Sequence, residues 1–137
     1  MIQRDTQLRV RYEETDKMGV VYHSNYIIYY EVGRTEMFRE IGLSYDALEK
    51  MGFIMPVVEV SSRYKSPAYY DELLTVRTII REMPMARLAI DYEIYNEQGT
   101  LLNTGRTVLG FVDAARQRPC RAPQPLIDIL RKAGVDE

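Results

Sequence analysis

Hydrophobic and polar residues alternate near the beginning of the chain. Residues 6–12 read TQLRVRY, which places Leu8, Val10 and Tyr12 on one face of an extended chain and polar residues on the other. A period of two is typical of a half-buried β-strand. The pattern therefore predicts a strand over residues 6–12.

A long helix is predicted next, over residues 25–42, where Gly42 supplies a stop signal. A surface helix has one apolar stripe, but residues 26–32 are apolar almost all round. The pattern therefore predicts a helix that is enclosed by the rest of the fold. A shorter helix is predicted between Ser44, as its cap, and Gly52, as its stop.

The second half of the chain is dominated by strand patterns. Strands are predicted over residues 53–65, 73–82, 87–95 and 100–112. Connections of hairpin length join the last three, which indicates antiparallel pairing. Pro56 indicates an edge or a bulge, and Gly105 and Gly110 indicate a bulge or the close approach of another backbone. A closing helix is predicted over residues 123–134.

These elements together predict one α+β domain over residues 1–137. Its expected architecture is a curled antiparallel sheet of about five strands wrapped around a long central helix. A chain of 137 residues is large enough to bury a core, and 46% hydrophobic with 28% charged residues is an ordinary globular balance.

Charge and cysteine content narrow the classes of function. The formal net charge is −2, so no overall positive field would draw the chain to nucleic acid. The one cysteine, Cys120, excludes an intrachain disulfide, and the first residues contain no apolar leader. No run approaches the ~18 apolar residues that a membrane span needs. We therefore expect a cytoplasmic protein without a transmembrane segment.

The candidate chemistry is concentrated in DKMGVVYHSNY, residues 16–26, which holds the chain's only histidine, His23. A helix N-terminus offers unpaired backbone N–H groups and the positive end of the helix dipole. Aimed at a carbonyl oxygen, such donors stabilise the charge of acyl transfer by roughly 3–4 kcal/mol each. Asp16 can serve as a general base for water or as a nucleophile, and Gly19 would let the loop approach a ligand closely.

These residues also have purely structural interpretations. Asp16 can form an Asx turn or a cap, and His23 can be a satisfied residue at a helix start. Glu31, in the apolar helix, is expected to pair with Arg34. A thiol mechanism with Cys120 and His23 is disfavoured because nothing in the sequence places them together. One His and one Cys provide no metal-ligand spacing.

A family resemblance extends over nearly the whole chain. The run RYEETDKMGVVYHSNYIIYYEVGRTEMFREIG, residues 11–42, resembles the opening of hotdog-fold acyl-CoA thioesterases of the 4-hydroxybenzoyl-CoA thioesterase type. It is especially similar to their bacterial short-chain acyl-CoA branch, which carries Y-x-x-T-D-x-x-G-V-V-Y-H-x-x-Y followed by Y-x-E-x-x-R-T-E. Downstream, YKSPAYYDELLTV, residues 64–76, resembles the family's strand-to-turn segment. The resemblance implies the hotdog fold, in agreement with the α+β pattern.

The resemblance also implies roles for residues of the opening motif. Asp16 matches the family's catalytic carboxylate, and Tyr22 and His23 match catalytic positions named beside it. The backbone N–H of His23 falls where the family polarises the thioester carbonyl. Contacts with the substrate are expected from the neighbouring residues Gly19, Val21 and Asn25.

Coenzyme A (CoA) carries several phosphate charges, so its binding needs basic side chains. The candidates are Arg63, Lys65 and Arg87, with Lys65 ranked first because it lies in the family-like segment. Further candidates are Arg116, Arg118 and Arg121. For each of them, the sequence favours an ordinary solvated charge over a phosphate contact. The resemblance implies no metal and no cofactor, since CoA is part of the substrate.

The leading hypothesis is an acyl-CoA thioesterase that releases a free carboxylic acid and CoA. The resemblance implies a homodimer or homotetramer with sheets paired edge to edge, and an enclosed helix fits a partner that covers part of it. One alternative is a non-catalytic protein that binds acyl thioesters or acyl carrier protein; another is a thioesterase that acts on acyl carrier protein. A binder would have no need of the Asp16 carboxylate, which favours an enzyme.

Overall fold

The computed structural model describes residues 1–136, with the backbone alone for Tyr45. A 3₁₀ helix (Tyr12–Glu14) follows the first strand. In chain order, the strands and α-helices are β1 (Ile2–Arg9), α1 (Asn25–Glu40), α2 (Tyr45–Lys50), β2 (Phe53–Ile54), β3 (Val57–Tyr64), β4 (Leu73–Ile80), β5 (Arg87–Tyr95), β6 (Leu101–Gly110), β7 (Val112–Asp113), β8 (Arg118–Pro119) and α3 (Gln124–Ala133).

Five antiparallel strands form the main sheet, in the order β1–β4–β5–β6–β3. Short antiparallel connections therefore join β4, β5 and β6, as the loop lengths predict. The three two-residue strands make a separate small sheet in the order β2–β7–β8. A five-stranded antiparallel sheet with one long helix confirms the predicted α+β hotdog architecture.

The core lies between α1 and one face of the main sheet. Alternate residues of β5 point into it and are fully or almost fully buried, namely Leu88, Ile90, Tyr92 and Ile94. Gly33 lets α1 approach β4 closely, because a Cβ atom built on it would lie 2.5 Å from Thr78 Oγ1. The burial of each large apolar side chain stabilises this arrangement by roughly 1.5–3 kcal/mol.

Most of the predicted caps and breaks are confirmed. The Ser44 hydroxyl accepts a hydrogen bond from the Ala47 N–H at 3.0 Å, as expected of an N-cap. Gly42 and Gly134 follow α1 and α3 in the left-handed region, with φ of +91° and +113°. Pro56 separates β2 from β3, which is an edge strand with a register shift near its start.

The predicted bounds of the first strand were wrong. The strand begins at Ile2 and ends at Arg9, and Tyr12 is exposed in the 3₁₀ helix. The cause is a local hydrogen bond, in which the Arg11 N–H donates to the Glu14 carboxylate at 2.8 Å. This bond turns the chain out of the sheet before the alternating pattern ends.

The prediction of an enclosed helix was also wrong for the single chain. Tyr29 and Tyr30 are buried against the sheet, but Ile27 and Ile28 are 43% and 51% exposed on the opposite face of α1. One sheet covers only one side of a helix, so an all-round apolar sequence leaves part of its surface uncovered. Among residues 1–136, no helix is both long and apolar enough to span a membrane.

Candidate active site

Asp16 lies in a tight loop between the 3₁₀ helix and α1. Its Oδ1 atom accepts the Met18 N–H at 2.8 Å and the Val20 N–H at 3.4 Å, which is the Asx-turn geometry named as the structural alternative. Gly19 occupies the left-handed region at φ +79°. Its N–H donates to the Asp16 carbonyl at 3.0 Å, which closes the turn. Oδ2 of Asp16 accepts no hydrogen bond from the described part of the chain. The turn therefore fixes the carboxylate while leaving one oxygen available.

The segment before β4 holds this loop in place. The Val21 N–H donates to the Ala68 carbonyl at 2.8 Å, and the Tyr70 N–H donates to the Gly19 carbonyl at 3.4 Å. Val20 and Tyr69 form an antiparallel bridge between these two bonds. The Asp16 loop is therefore fastened along its length, although it belongs to no regular strand.

Glu14 joins the loop to the start of α1. Its buried carboxylate accepts hydrogen bonds from the Arg11 backbone at 2.8 Å, from the Arg11 guanidinium at 3.1 Å and from the Tyr29 hydroxyl at 3.0 Å. Its carbonyl oxygen accepts the Tyr22 N–H and the Asn25 side-chain amide, both at 2.9 Å. Burial and the bond to Glu14 raise the pKa of Tyr29 far above its ordinary value. Sequence reasoning missed Glu14, because its partner on α1 is 15 residues away.

The start of α1 leaves two backbone donors open. The Val21 N–H donates to the Ala68 carbonyl, and the Tyr22 N–H donates to the Glu14 carbonyl. The Asn25 N–H donates to the Tyr22 carbonyl at 2.9 Å. Between them, the N–H groups of His23 and Ser24 find no acceptor within residues 1–136. Both lie at the positive end of the helix dipole, where a negative oxygen is stabilised.

A cleft of about 380 Å³ opens at this end of the helix. The structure brings together there five of the residues predicted for the site, namely Asp16, Val21, Tyr22, His23 and Lys65. Gly19 lies beside them in the Asp16 loop. Asn25 is close by, but its side-chain amide is bonded to the Glu14 carbonyl.

Two predicted basic residues lie elsewhere. Arg63 lines a hollow with Arg81 and Arg106, and Arg87 lines a neighbouring one. Arg63 alternates with Ser62 and Tyr64, which pair across the sheet with core-facing positions, so it points to the outer face. Within one chain, Arg63 and Arg87 are therefore not brought to the Asp16 cleft.

Aromatic rings form much of the cleft wall. The Tyr22 and His23 rings have centroids 4.2 Å apart, and Tyr64 meets Tyr26 edge to face at 5.3 Å. The Tyr64 hydroxyl donates a hydrogen bond to the His23 carbonyl at 3.1 Å. Sequence reasoning missed Tyr64, although it directly precedes Lys65 in the family-like segment. Burial raises the pKa of Tyr26, which keeps this phenol neutral at physiological pH.

A cluster of metal ligands is absent from residues 1–136. Among the described residues, no three His, Cys, Asp or Glu side chains come together as a metal site. Cys120 is half-buried at the end of β8 and is not part of the cleft that holds His23.

Residues 10–130 match the thioesterase-like superfamily. The chain belongs to this superfamily. This confirms the family recognised in the opening motif, and with it the predicted enzyme class, a thioester hydrolase. The acyl-CoA thioester hydrolase YbgC of Escherichia coli O157:H7 is 36% identical over 122 residues, which are 88% of this chain and 90% of that relative.

Two solved structures share the fold closely. The DHNA-CoA thioesterase from Staphylococcus aureus is 38% identical, with a TM-score of 0.87 over 97% of this chain and 89% of that one. The hypothetical protein TT1821 from Thermus thermophilus is 33% identical, with a TM-score of 0.89 over 98% of this chain and 100% of that one.

Proposed function

We propose that this chain hydrolyses an acyl-CoA thioester to a free carboxylic acid and CoA, with Asp16 as the reacting carboxylate. The observation that carries the proposal is the shared cleft: the Asp16 carboxylate lies in the same cavity as His23, whose N–H is open. The names of the relatives, an acyl-CoA thioester hydrolase and a DHNA-CoA thioesterase, support CoA thioesters as the substrate class.

The start of α1 would act on the thioester oxygen. When a nucleophile adds to the carbonyl carbon, negative charge develops on that oxygen, and the His23 N–H would stabilise it by roughly 3–4 kcal/mol. The tetrahedral intermediate then collapses by breaking the C–S bond, and the CoA thiolate leaves. Fixed backbone donors serve this step well because they need no reorganisation as the charge appears.

Asp16 would supply or activate the nucleophile. As general base, its carboxylate takes a proton from water as the water attacks, and the proton then passes to the departing thiolate. As nucleophile, it forms an acyl-aspartyl anhydride that water hydrolyses in a second step. The open Oδ2 atom suits either route. His23 and Tyr22, both exposed at the cleft, are the proposed partners for proton movement and for holding the acyl group.

Lys65 would bind a phosphate of CoA at the mouth of the cleft. It is exposed and lines the cavity beside Tyr64. A single cation on a flexible stem contributes mainly to substrate affinity. We expect Lys65→Ala to raise KM for acyl-CoA more than it lowers kcat. Arg63 and Arg87 would serve only a ligand that reaches the outer face of the sheet.

A second copy of the chain is the proposed partner for the exposed side of α1. The edge strand β3 is eight residues long and carries the exposed residues Val57, Val58 and Val60. Ile27 and Ile28 add further apolar surface on α1. A long apolar edge strand is a template for pairing with another sheet, so an edge-to-edge homodimer would cover this surface. Acyl carrier protein stays an alternative source of the thioester.

The decisive experiment measures free-thiol release from acetyl-, butyryl-, hexanoyl-, palmitoyl-, benzoyl- and 4-hydroxybenzoyl-CoA. Wild type is compared with Asp16→Asn, which removes the charge but preserves the shape, and with Asp128→Asn on α3 as a matched control. We expect Asp16→Asn to lose at least about 100-fold in kcat and Asp128→Asn to stay at the wild-type rate.

Two results would contradict the proposal. A folded Asp16→Asn protein with wild-type turnover would remove Asp16 from the mechanism. The absence of thiol release from every member of the panel, with the wild-type protein folded, would favour acyl carrier protein thioesters or a non-catalytic binder.

A further inference from the structure

Tyr64 makes three contacts with the start of α1 from the end of β3. Its hydroxyl donates to the His23 carbonyl at 3.1 Å. Its ring meets Tyr26 edge to face at 5.3 Å and His23 at 6.4 Å, with interplanar angles of 78° and 84°. One side chain from the sheet therefore contacts both the backbone and the ring of His23, which is 41 residues away in sequence.

The His23 carbonyl needs this bond because the helix holds it poorly. The preceding carbonyl, that of Tyr22, accepts the Asn25 N–H at 2.9 Å, a normal hydrogen-bond length. The His23 carbonyl accepts the Tyr26 N–H only at 3.4 Å, beyond the usual range. The 3.1 Å bond from Tyr64 is therefore the shorter of the two bonds that this carbonyl accepts.

We propose that Tyr64 is a positioning residue of the thioesterase site: it holds the peptide group between His23 and Ser24, which carries the Ser24 N–H, so that the two neighbouring open N–H groups stay directed at the thioester oxygen. The inference rests on the proposed function, because it assumes that these open N–H groups are the oxyanion donors. The hydroxyl of Tyr64 acts through His23 and does not take part in the reaction itself. Donors of this kind are effective only when their supporting contacts keep them in place.

Tyr64 and Lys65 are consecutive residues with different expected roles. The Tyr64 hydroxyl is hydrogen-bonded to the protein backbone, so its loss should reduce the stabilisation of the transition state without removing a contact to CoA. The Lys65 ammonium group is exposed at the cleft and is the proposed contact for a CoA phosphate, so its loss should weaken substrate binding. The two variants are therefore expected to separate kcat from KM.

The test compares Tyr64→Phe with Tyr95→Phe. Each change removes one phenol hydroxyl with one hydrogen bond, but the Tyr95 hydroxyl donates to Glu93 at 2.9 Å, away from the cleft. The loss of one such bond corresponds to a factor of about 3 to 10. We expect Tyr64→Phe to lower kcat by that factor with KM changed less than about twofold. Tyr95→Phe should keep the wild-type values, and Lys65→Ala should raise KM.

A second measurement does not depend on turnover. Backbone amide signals of His23 and Ser24 in substrate-free protein, recorded by ¹H–¹⁵N NMR, should move in Tyr64→Phe and stay in place in Tyr95→Phe. Their hydrogen exchange should also become faster in Tyr64→Phe. Circular dichroism and thermal unfolding establish that both variants are folded, which is expected because Phe preserves the ring contacts with Tyr26.

The outcomes separate the inference from the proposed function. If Asp16→Asn is inactive but Tyr64→Phe turns over at the wild-type rate, the positioning role is refuted and the thioesterase mechanism stands. A loss in Tyr64→Phe that appears only in KM would make Tyr64 a substrate contact and would equally refute positioning. Unmoved His23 and Ser24 amide signals would show that the hydroxyl does not hold this backbone. If Asp16→Asn is fully active, the proposed mechanism fails, whatever the amide signals show.

Discussion

The close approach of α1 to β6 at Gly105 gives a sharp stability prediction. A Cβ atom built on Gly105 would lie 2.2 Å from both Cζ and Oη of Tyr30 and 2.5 Å from its Cε2. Atoms cannot remain at these distances, so Gly105→Ala must displace the Tyr30 ring or separate the helix from the sheet. The sequence suggested that another backbone approaches Gly105, but the approaching group is a side chain, and Gly105 lies at no register shift.

Tyr30 has little freedom to move aside. It is fully buried, and its ring stacks on Tyr92 with centroids 4.4 Å apart and an interplanar angle of 14°. Its hydroxyl bonds the Ser62 hydroxyl at 2.8 Å and donates to the Asn103 side chain. Burial is the main cause that raises the pKa of Tyr30, to about 12, so the phenol stays neutral.

The expected cost combines two effects. Overpacking a core costs about 1–3 kcal/mol. A displaced phenol also leaves buried polar partners unsatisfied, which costs about another 1–3 kcal/mol. We therefore expect Gly105→Ala to lower the free energy of unfolding by about 2–6 kcal/mol.

The assay is urea denaturation at one fixed protein concentration, since association would otherwise change the apparent stability. Gly110→Ala is the matched control, because it lies in the same strand and its Cβ atom would be 3.4 Å from the nearest Val58 carbon. We expect this control to change stability by less than about 1 kcal/mol. In a Tyr30→Leu background, where the ring is absent, the cost of Gly105→Ala should fall by more than half.

The reasoning fails on either of two results. Equal effects of Gly105→Ala and Gly110→Ala would mean that the space above Gly105 is not limiting. An unchanged cost in the Tyr30→Leu background would mean that the Tyr30 ring is not the group that collides.

Two further predictions concern other parts of the molecule. Ile28→Glu, on the exposed face of α1, should turn the proposed homodimer into folded monomers in light scattering. Met85→Glu, at an exposed apolar residue elsewhere, should leave the mass unchanged, and a dimer that survives Ile28→Glu excludes this face. The second prediction uses Asp91, whose burial raises its pKa, although the stronger combined effect of Arg106 and Arg81 lowers it below the ordinary value of about 3.9. A lowered folded-state pKa adds stability above about pH 5, and this stability is lost as the pH falls through that pKa. Asp91→Asn should therefore make the free energy of unfolding depend less steeply on pH below about pH 5. An unchanged slope of the free energy of unfolding against pH would refute this.

Much of the fold and the local part of the site could be predicted from sequence because their determinants are neighbours in the chain. Asp16 and His23 meet because one tight loop and one helix start connect them. Strand alternation located β5, and turn glycines located the ends of α1 and α3. The strand prediction over residues 6–12 failed where a side chain, that of Glu14, competed with the sheet for the backbone.

Contacts between distant segments could not be predicted in the same way. Alternation along an uninterrupted strand would put Arg63 and Lys65 on one face, yet only Lys65 reaches the cleft. The reason is that β3 ends at Tyr64, and the N–H groups of Lys65 and Ser66 both donate to the Leu102 carbonyl. The chain therefore leaves the strand between the two basic residues. The alternating pattern of this segment does not predict that the chain leaves the strand there.

The exposed helix face follows from the same limit. An all-round apolar helix predicts complete burial, but the sequence does not say whether its own chain or a second copy supplies the cover. Ile28 and Val60 are both exposed in the single chain, on the long helix and on the edge strand. The apolar pattern therefore predicts that this face is covered, and the exposed residues of the single chain leave a second copy as the proposed cover.

The open amides at the start of α1 are defined by the bonds that surround them. On one side, the N–H groups of residues 21 and 22 are bound by the carbonyls of Ala68 and Glu14. On the other side, the N–H groups of residues 25 and 26 are bound within the first turn. What is left is an opening two amides wide, at His23 and Ser24. The carbonyls of Ala68 and Glu14 are backbone atoms, so a side-chain substitution at either residue leaves both acceptors, and with them this limit of the opening, in place.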